Sequence, residues 1–291
     1  MVKVNAMLAM LETLAIEAGQ IILRIRANGS GARLKPDGSP VTDADQAAEE
    51  HITTGLQRID PGAPIVAEEC ACYGGVQSIS TDRFFLVDPL DGTKEFIKGR
   101  SDFTVNVAVI QHGVPCVGVV VAPARNELFS GGYGSAYRCR ISADGTVDER
   151  KTIATRSVPF AGLTAVVSAS HATAETNVLL DRMVVNEKLS IGSSLKFCLV
   201  AAGMADVYPR LGRTMQWDTA AGDAVLRNAG GCTFRLDGSP LGYGARDGDG
   251  VDMFENPHFV ACGGDADVLG IMLGLPGAHR TPVLQVPAQE I

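Results

Sequence analysis

The most restrictive feature of the sequence is a series of short segments between residues 65 and 140 in which apolar residues tend to recur at every second position. This spacing is typical of β-strands, because successive side chains of a strand point to opposite faces of the sheet. Turn residues such as His112-Gly113 and Gly131-Gly132 separate several of the segments. We therefore expect a block of antiparallel strands, namely Ile65–Ala67, Arg83–Val87, Phe103–Ile110, Cys116–Val121, Glu127–Ser130 and Ala136–Arg140.

Before this block the apolar residues recur at the spacing of helices, and after it the pattern predicts alternating helices and strands. Apolar residues at helical intervals predict one helix over residues 6–26 and a second from Thr42 to about Gln57. After residue 160 we expect strands Leu163–Ser168, Lys188–Ile191, Asp206–Pro209, Cys232–Arg235 and Phe259–Cys262, with helices Ala174–Asn186, Ser193–Gly203, Asp218–Ala229 and Ala266–Leu273. The sequence thus predicts an α+β sub-domain over residues 1–158 and an α/β sub-domain over residues 159–291.

Composition excludes several classes of protein. The 291 residues are 46% hydrophobic and 20% charged, which is typical of a folded globular chain. We expect no integral membrane contact, because no apolar run reaches about 18 residues, and the N-terminus lacks the pattern of a signal peptide. The net charge of −8 argues against binding of a nucleic acid polymer. Seven cysteines without a CxxC pair predict reduced thiols, and together these features predict a cytoplasmic protein.

Acidic residues stand at the ends of several predicted elements, and the densest group directly follows a strand. Asp88 and Asp91 flank the carbonyl of Leu90 on a turn that also contains Pro89 and Gly92. Carboxylate and carbonyl oxygens are the ligands that Mg²⁺ prefers, and a short helix after Gly92 would offer N–H groups to a phosphate. Asp, Pro and Gly are also ordinary turn residues, so a simple turn is an equally good interpretation.

Three further acidic sites each have a structural alternative. Glu68-Glu69 follows the strand Ile65–Ala67 and would ordinarily be solvated surface charge. Asp45 lies three residues after Thr42, as in a capping box, and Asp218 is placed to be the N-cap of its helix. Four such sites in one acidic chain nevertheless favour a shared metal centre.

The order of three segments resembles the inositol monophosphatase superfamily of magnesium-dependent, lithium-sensitive phosphomonoesterases. The segments are Val66-Ala67-Glu68-Glu69, Asp88-Pro89-Leu90-Asp91-Gly92-Thr93 and Trp217-Asp218-Thr219-Ala220-Ala221-Gly222. The resemblance covers about residues 5 to 275 and implies the layered α/β/α/β sandwich of the sugar-phosphatase and inositol monophosphatase type. It also implies two or three Mg²⁺ ions in each site.

The resemblance assigns roles residue by residue. It implies metal ligands at Glu68, Asp88, Leu90 (through its carbonyl), Asp91 and Asp218. Asp45 and Thr93 resemble the pair that positions the attacking water, so the catalytic residues implied are Asp45, Glu68 and Thr93. The phosphate would also contact Gly92, Thr93 and Asp218.

Other segments look like the 3′(2′),5′-bisphosphate nucleotidase branch of this superfamily. They are Lys94-Glu95-Phe96-Ile97, Gly192-Ser193-Ser194-Leu195-Lys196-Phe197-Cys198 and Asp206-Val207-Tyr208-Pro209-Arg210. This branch removes the 3′-phosphate of adenosine 3′,5′-bisphosphate, a by-product of sulfate assimilation. Ser193, Lys196 and Arg210 offer a hydroxyl and two cations to a second phosphate, and this interpretation is favoured over the alternative that the two cations are surface charges. Ser170-His171 also resembles a substrate-side element of the branch.

Two alternatives to this nucleotidase remain open. An inositol phosphatase or a sugar (fructose 1,6-bisphosphate) phosphatase would share every metal ligand and differ only around Ser193, Lys196 and Arg210. A nucleotide-binding regulatory module without turnover would not need Thr93, whose presence argues against it. The expected partner is a small nucleotide bisphosphate. The sequence leaves open a homodimer, contact with the cytoplasmic face of the inner membrane, and the role of the tail after Pro276.

Overall fold

The computed structural model describes residues 5–29, 31–35, 38–75, 79, 81–168, 173–246 and 250–264. The predicted helix Ala266–Leu273, the tail after Pro276 and the Ser170-His171 pair lie outside the described residues. The helices are α1 (Ala6–Asn28), α2 (Asp43–Ile59), α3 (Glu68–Cys72), α4 (Thr93–Ile97), α5 (Ala174–Leu180), α6 (Leu195–Ala201) and α7 (Gln216–Asn228). The strands are β1 (Arg33–Leu34), β2 (Pro40–Val41), β3 (Ile65–Ala67), β4 (Arg83–Asp91), β5 (Thr104–Gln111), β6 (Val114–Ala122), β7 (Glu127–Gly132), β8 (Ser135–Ile141), β9 (Val147–Ile153), β10 (Leu163–Ser168), β11 (Val185–Ile191), β12 (Val207–Arg210), β13 (Cys232–Arg235) and β14 (Phe259–Cys262).

Two large sheets organise the chain. The first has the order β3-β4-β5-β6-β7-β8-β9, and every neighbouring pair is antiparallel except β3 and β4, which run parallel. The expected antiparallel block was therefore wrong for this one pair, in which α3 lies on the connection between the strands. The second sheet, of order β11-β10-β12-β14-β13, combines two parallel and two antiparallel pairs.

The sheets and helices form the expected layered sandwich. Alternate residues of β4, such as Phe85 and Val87, pack with α1 and α2 on one face of the first sheet. The intervening residues, such as Phe84 and Leu86, face a second core that contains α6, α7 and the inner face of the second sheet. Helix α5 covers the outer face of the second sheet and adds one helical layer to the predicted arrangement. The domain boundary at residue 158 stays a prediction.

Helix α7 lies unusually close to the first sheet. A β-carbon on Gly118 of β6 would come within 2.3 Å of the carbonyl oxygen of Ala221 in α7, so this position requires glycine. Residues of α7 such as Ala221 and Ala224 are small and buried. This approach fixes the N-terminus of α7, which carries Asp218, relative to the first sheet.

Most predicted elements are present, and the differences concern polar segments. The helix predicted over Ala174–Asn186 ends at Leu180, and residues from Val185 onward instead form the edge strand β11. Strand β9 was not predicted, because its sequence Val147–Ile153 is polar and lies at the exposed edge of the first sheet. Exposed edge strands do not need the apolar alternation from which we predict strands.

Helix α1 qualifies by length and composition as a membrane span, with 23 residues and a mean hydropathy of 1.6 over its most apolar window. The argument that no stretch is long and apolar enough to span a bilayer was therefore wrong for α1. In the structure 56% of that window is buried, and Leu8, Leu11 and Ile22 pack into the core with α2 and the first sheet. Its apolar character is accounted for by this packing.

Candidate active site

A β-bulge at the end of β4 places the two aspartates of the Asp88–Asp91 segment. Asp88 pairs with Asn106 of β5 and Asp91 with Thr104, so β4 carries one more residue than its partner between these points. Pro89 cannot donate a ladder hydrogen bond, which suits it to a bulge. The expected turn is thus a bulge within a continuous strand, and α4 begins directly after it, as anticipated.

The side chain of Leu90 anchors this bulge, since it is buried in the core beneath α1 and α2. Its N–H donates to Oδ1 of Asp88 at 3.0 Å, which orients that carboxylate. Gly92 follows with φ of +94°, a conformation that favours glycine, and a β-carbon there would meet the carbonyl oxygen of Asp102 at 2.9 Å. The carboxylate of Asp88 is therefore oriented by the N–H of Leu90, whose side chain is fixed in the core.

Carboxylates from three separate elements converge beside the bulge. One oxygen each from Glu68, Asp88 and Asp218 lies within 4.8 Å of the others. Burial, together with the neighbouring negative charges, raises the pKa of Asp88 well above its usual value and that of Asp218 to about 8. Burial also raises the pKa of Glu68, whose carboxyl group is hydrogen-bonded to that of Asp88. A divalent cation bound among these buried carboxylates would offset the repulsion between their negative charges.

Asp91 lies beside this trio without being a member of the 4.8 Å group. Its charge raises the pKa of both Asp88 and Asp218, which places it in the same electrostatic environment. The backbone N–H of Ser194 donates to Oδ2 of Asp91 at 2.8 Å. We call Glu68, Asp88, Asp91 and Asp218 the acidic wall.

The hydroxyl of Ser194 connects the two halves of this wall. It lies 2.7 Å from the carbonyl oxygen of Asp218 and 3.3 Å from Oδ2 of Asp91. A hydroxyl has a single proton, so the shorter contact to the carbonyl is the favoured hydrogen bond. Ser194 thus bridges the end of β4 and the first turn of α7.

Asp218 itself combines two roles. Its Oδ2 accepts a hydrogen bond from the N–H of Met215 at 2.9 Å, in a capping-box arrangement at the start of α7. It occupies the third position of the helix, so the expectation that it is the N-cap was wrong. Capping one backbone group leaves its second oxygen for the cavity.

Asp45 likewise caps a helix and contacts the site at once. Its Oδ2 accepts hydrogen bonds from the N–H and the hydroxyl of Thr42, at 2.7 and 2.6 Å. Its Oδ1 lies 3.1 Å from the hydroxyl of Thr93, which is also 3.2 Å from the carbonyl oxygen of Leu90. The capping and functional interpretations of Asp45 are therefore compatible.

A buried lysine beside Glu68 was missed by the sequence analysis. The ammonium group of Lys35 lies 2.6 Å from Glu68 and 2.7 Å from Glu69. Burial lowers the pKa of Lys35, but the charges and hydrogen bonds of the two glutamates outweigh burial and raise it. Glu69 is 4% exposed, so it is not the surface charge that its sequence context suggested.

Glu49 of α2 holds the segment that carries these glutamates. Its two carboxylate oxygens accept the N–H groups of Glu69 and Cys70, each at 2.8 Å. These are free N–H groups at the start of α3, and a carboxylate stabilises that end of a helix. No motif in the sequence marks Glu49 or Lys35, because each acts on residues distant along the chain.

Two buried cations line the same cavity as the carboxylates. Lys196 of α6 donates to the carbonyl of Ser193 and lies over the ring of Tyr208, and burial lowers its pKa to about 8. Arg210, at the end of β12, is 8% exposed; it donates to the carbonyl of Arg213, while its Nε has no hydrogen-bond partner among the described residues. We call Lys196 and Arg210 the cationic wall, and their burial argues against the surface-charge alternative.

One cavity of about 330 Å³ brings both walls together. Its lining includes most of the predicted site residues, namely Glu68, Asp91, Gly92, Thr93, Ser193, Lys196, Arg210 and Asp218. Ser193 adopts φ of +58° and its hydroxyl is hydrogen-bonded to that of Thr104, which joins the second half of the chain to β5. The carboxylates offer only oxygen ligands and their negative charges repel one another, so the site is suited to a hard divalent cation.

Comparison with known proteins agrees with this geometry. The sequence pattern of the inositol monophosphatase family matches residues 3–256. A 3′(2′),5′-bisphosphate nucleotidase CysQ from Escherichia coli is 44% identical over 77% of this chain and 86% of its own length. The corresponding protein of Salmonella typhimurium is 40% identical over 84% of this chain and 95% of its own length.

Solved structures show the same architecture. The crystal structure of CysQ from Bacteroides thetaiotaomicron, with 34% identity, covers 89% of this chain and 98% of its own, with a TM-score of 0.74. The suhB protein of Bartonella henselae, at 24% identity, shares the fold over 94% of this chain and 100% of its own, with a TM-score of 0.71. Phosphatases of this family are metal-dependent, in accord with the acidic wall described above. The chain belongs to the inositol monophosphatase family.

Proposed function

We propose that this chain is a magnesium-dependent 3′(2′),5′-bisphosphate nucleotidase that hydrolyses the 3′-phosphate of adenosine 3′,5′-bisphosphate to give AMP and phosphate. The observation that carries the proposal is that residues of the cationic wall and of the acidic wall line one cavity. A bisphosphate needs metal ions for the reacting phosphate and separate cations for the second one. The curated relatives that carry the nucleotidase name support the same conclusion.

Glu68, Asp88, Asp91, Asp218 and the carbonyl of Leu90 would hold two or three Mg²⁺ ions. When bound, these ions supply Lewis-acid stabilisation of the charge on the reacting phosphate and lower the pKa of water. The four carboxylates hold this charge in place and repel a phosphate that arrives without metal. Lys35 neutralises part of the surplus negative charge at Glu68 and Glu69.

Thr93 and Asp45 would orient the attacking water. The hydroxyl of Thr93 donates to Oδ1 of Asp45, which leaves a lone pair on the Thr93 oxygen free to accept a hydrogen bond from the attacking water. Asp45 is fixed in turn by Thr42, so the pair is rigid before substrate arrives. Water would then attack phosphorus in line with the leaving 3′-oxygen: as the new P–O bond forms and the bond to the 3′-oxygen breaks, the water gives a proton through Thr93 to Asp45, and the 3′-oxygen takes a proton from solvent to leave as the hydroxyl of AMP. No covalent enzyme intermediate is required.

The second phosphate would be bound by the hydroxyl of Ser193, the ammonium of Lys196 and the guanidinium of Arg210. The unpartnered Nε of Arg210 and the lowered pKa of Lys196 both indicate cations that an anion would stabilise. An inositol or fructose bisphosphate phosphatase on the same scaffold is the second candidate, since it would share the acidic wall.

A phosphate-release assay decides between these substrates. We expect the highest kcat/KM with adenosine 3′,5′-bisphosphate, compared with inositol 1-phosphate and fructose 1,6-bisphosphate in the same Mg²⁺ buffer. A preference for either of the other two esters would overturn the proposal and favour the second candidate. No hydrolysis of any ester, with nucleotide binding retained, would indicate the regulatory module.

Lithium inhibition and a cytoplasmic location also belong to the proposal. Li⁺ carries half the charge of Mg²⁺ and would occupy a metal position without stabilising the leaving oxygen. We expect LiCl to inhibit where NaCl at equal concentration does not, and equal rates in the two salts would contradict this. Cell fractionation tests the location, and sedimentation tests whether the enzyme is a homodimer.

A further inference from the structure

Glu95 is a buried acid in the active-site cavity to which the proposed mechanism gives no role. It lies in the first turn of α4, four residues after Asp91 and two after Thr93. The residue is 8% exposed and contributes to the lining of the cavity. A β-carbon on Gly192 would lie 3.7 Å from its Cγ, so the side chain packs beside the segment that leads into Ser193.

The carboxylate of Glu95 has no donor within the described part of the chain. No hydrogen bond or ion pair joins it to any of those residues. Burial lowers the pKa of Lys196 to about 8 and the charge of Glu95 opposes this only weakly, while the Lys196 ammonium donates to the carbonyl of Ser193. A carboxylate that lines a cavity and has no donor from the protein offers its oxygens as hydrogen-bond acceptors to a ligand.

The sign of its charge restricts which part of a substrate it can meet. A carboxylate repels phosphate, so Glu95 is not a contact of either phosphate group. The hydrogen-bond donors of adenosine 3′,5′-bisphosphate are the ribose hydroxyl and the amino group of the base. Glu95 lies within about one helical turn of Asp91 and Thr93, and the ribose hydroxyl is on the carbon adjacent to the one that bears the reacting phosphate. The hydroxyl is therefore the nearer donor.

We propose that Glu95 is a specificity-determining residue that accepts a hydrogen bond from the ribose hydroxyl next to the reacting phosphate. The preferred substrates are then phosphate monoesters with a free hydroxyl on the neighbouring carbon. This inference rests on the proposed nucleotidase function. The 3′- and 2′-phosphates in the name of the relatives both satisfy it, because each isomer leaves the other ribose hydroxyl free.

The test compares adenosine 3′,5′-bisphosphate with its 2′-deoxy analogue as substrates of the full-length enzyme with Mg²⁺. Glu95→Met keeps much of the side-chain volume but removes the acceptor, while Glu95→Gln keeps a neutral acceptor. Glu50→Met, at an exposed glutamate of α2, is the matched control. The readout is the ratio of kcat/KM for the two substrates, which does not change if part of a preparation is unfolded.

We expect the wild-type enzyme to favour the ribose substrate by about 10- to 100-fold, as for a hydrogen bond to a charged group. The ratio should fall to near one in Glu95→Met, take an intermediate value in Glu95→Gln and match wild type in Glu50→Met. A wild-type ratio in Glu95→Met would overturn the inference.

Inosine 3′,5′-bisphosphate, which lacks the amino group, separates the two possible donors. If Glu95→Met changes the adenosine-to-inosine ratio and leaves the ribose-to-deoxyribose ratio intact, the base amine is the partner and the inference is wrong. If the wild-type enzyme hydrolyses inositol 1-phosphate but neither bisphosphate, the proposed function itself fails, which is a different result from an unchanged ratio.

Discussion

The two walls of the cavity differ in how the chain builds them. The acidic wall takes three of its four carboxylates from the ends of two adjacent strands, β3 and β4, so most of it is local in sequence. The cationic wall comes from α6 and β12 in the second half of the chain. Short motifs mark the first wall, while the second depends on the packing of two sheets. The first is suited to the reaction common to the family, and the second to the choice of substrate.

Without ligands, burial disfavours the negative charges of the acidic wall and the positive charge of Lys196 in the cationic wall. Burial and mutual repulsion raise the pKa of Asp88 and Asp218, whereas burial lowers the pKa of Lys196. Each wall therefore needs a counter-charge that the other supplies only in part. A metal-bound phosphate on one side and a second phosphate on the other would satisfy both.

Removing one carboxylate of the acidic wall should have the largest effect. We expect Asp91→Asn to lower kcat by about a thousandfold or more, because metal charge stabilisation is worth several kcal/mol. Without metal the variant should be no less stable than wild type, since one repulsive charge is gone. Phosphate release and thermal unfolding in EDTA measure the two effects, with the exposed Asp148→Asn as control. Wild-type turnover in Asp91→Asn would exclude the metal assignment.

Changing the cationic wall should affect substrates selectively. We expect Lys196→Ala to lower kcat/KM for adenosine 3′,5′-bisphosphate by about 10- to 100-fold, the value of a charge-assisted contact. The loss for inositol 1-phosphate should be much smaller, because that substrate lacks the second phosphate. Steady-state kinetics on both substrates measure the difference, and Lys188→Ala, at an exposed lysine of β11, is the control. Equal losses would make Lys196 structural and remove the distinction between the walls.

The link between the two halves of the acidic wall can be tested by a smaller change at Ser194. We expect Ser194→Ala to weaken Mg²⁺ binding about fivefold, because the hydrogen bond of about 1 kcal/mol from the Ser194 hydroxyl to the carbonyl of Asp218 is lost. Isothermal titration of Mg²⁺ measures this without substrate, and excess Mg²⁺ should restore much of the turnover. Unchanged Mg²⁺ affinity would show that the hydroxyl does not position the acidic wall.

The smallest expected effect is on the pH dependence of stability without metal. Burial raises the pKa of both Asp218 and Glu69 to about 8, so the folded protein binds more protons than the unfolded chain between about pH 4 and 8. Their contribution to stability is complete below the unfolded pKa and is lost as pH rises through 8.

We therefore expect Tm in EDTA to fall by about 5 °C between pH 5 and 8. Mg²⁺ should remove most of this fall, and Asp218→Asn should reduce it. Differential scanning calorimetry at several pH values measures the effect. A Tm in EDTA that rises over this range would contradict the pKa assignment.

Apolar periodicity predicted the central strands well because both faces of β5 and β6 are buried, so their residues are constrained by the core. The same criterion missed β9 and found only Lys188–Ile191 of β11, because exposed edges allow polar residues. Lys35 and Glu49 were missed for another reason. Their partners lie 33, 20 and 21 residues away, and no local pattern specifies a contact across such a separation.

The sequence by itself determined the local chemistry of the site, because Pro89 in the bulge fixes the backbone around Asp88 of the acidic wall and Thr42 fixes the backbone around Asp45 beside it. Only the tertiary structure decided that Asp218 meets Asp88, through the close approach of α7 to Gly118. It also decided that Lys196 and Arg210 are buried and line the same cavity as residues of the acidic wall. The physical reason is the distance along the chain over which each effect acts. Local sequence sets the backbone conformation of a few neighbouring residues. Charged residues from distant segments are brought together only when the core between the two sheets is packed.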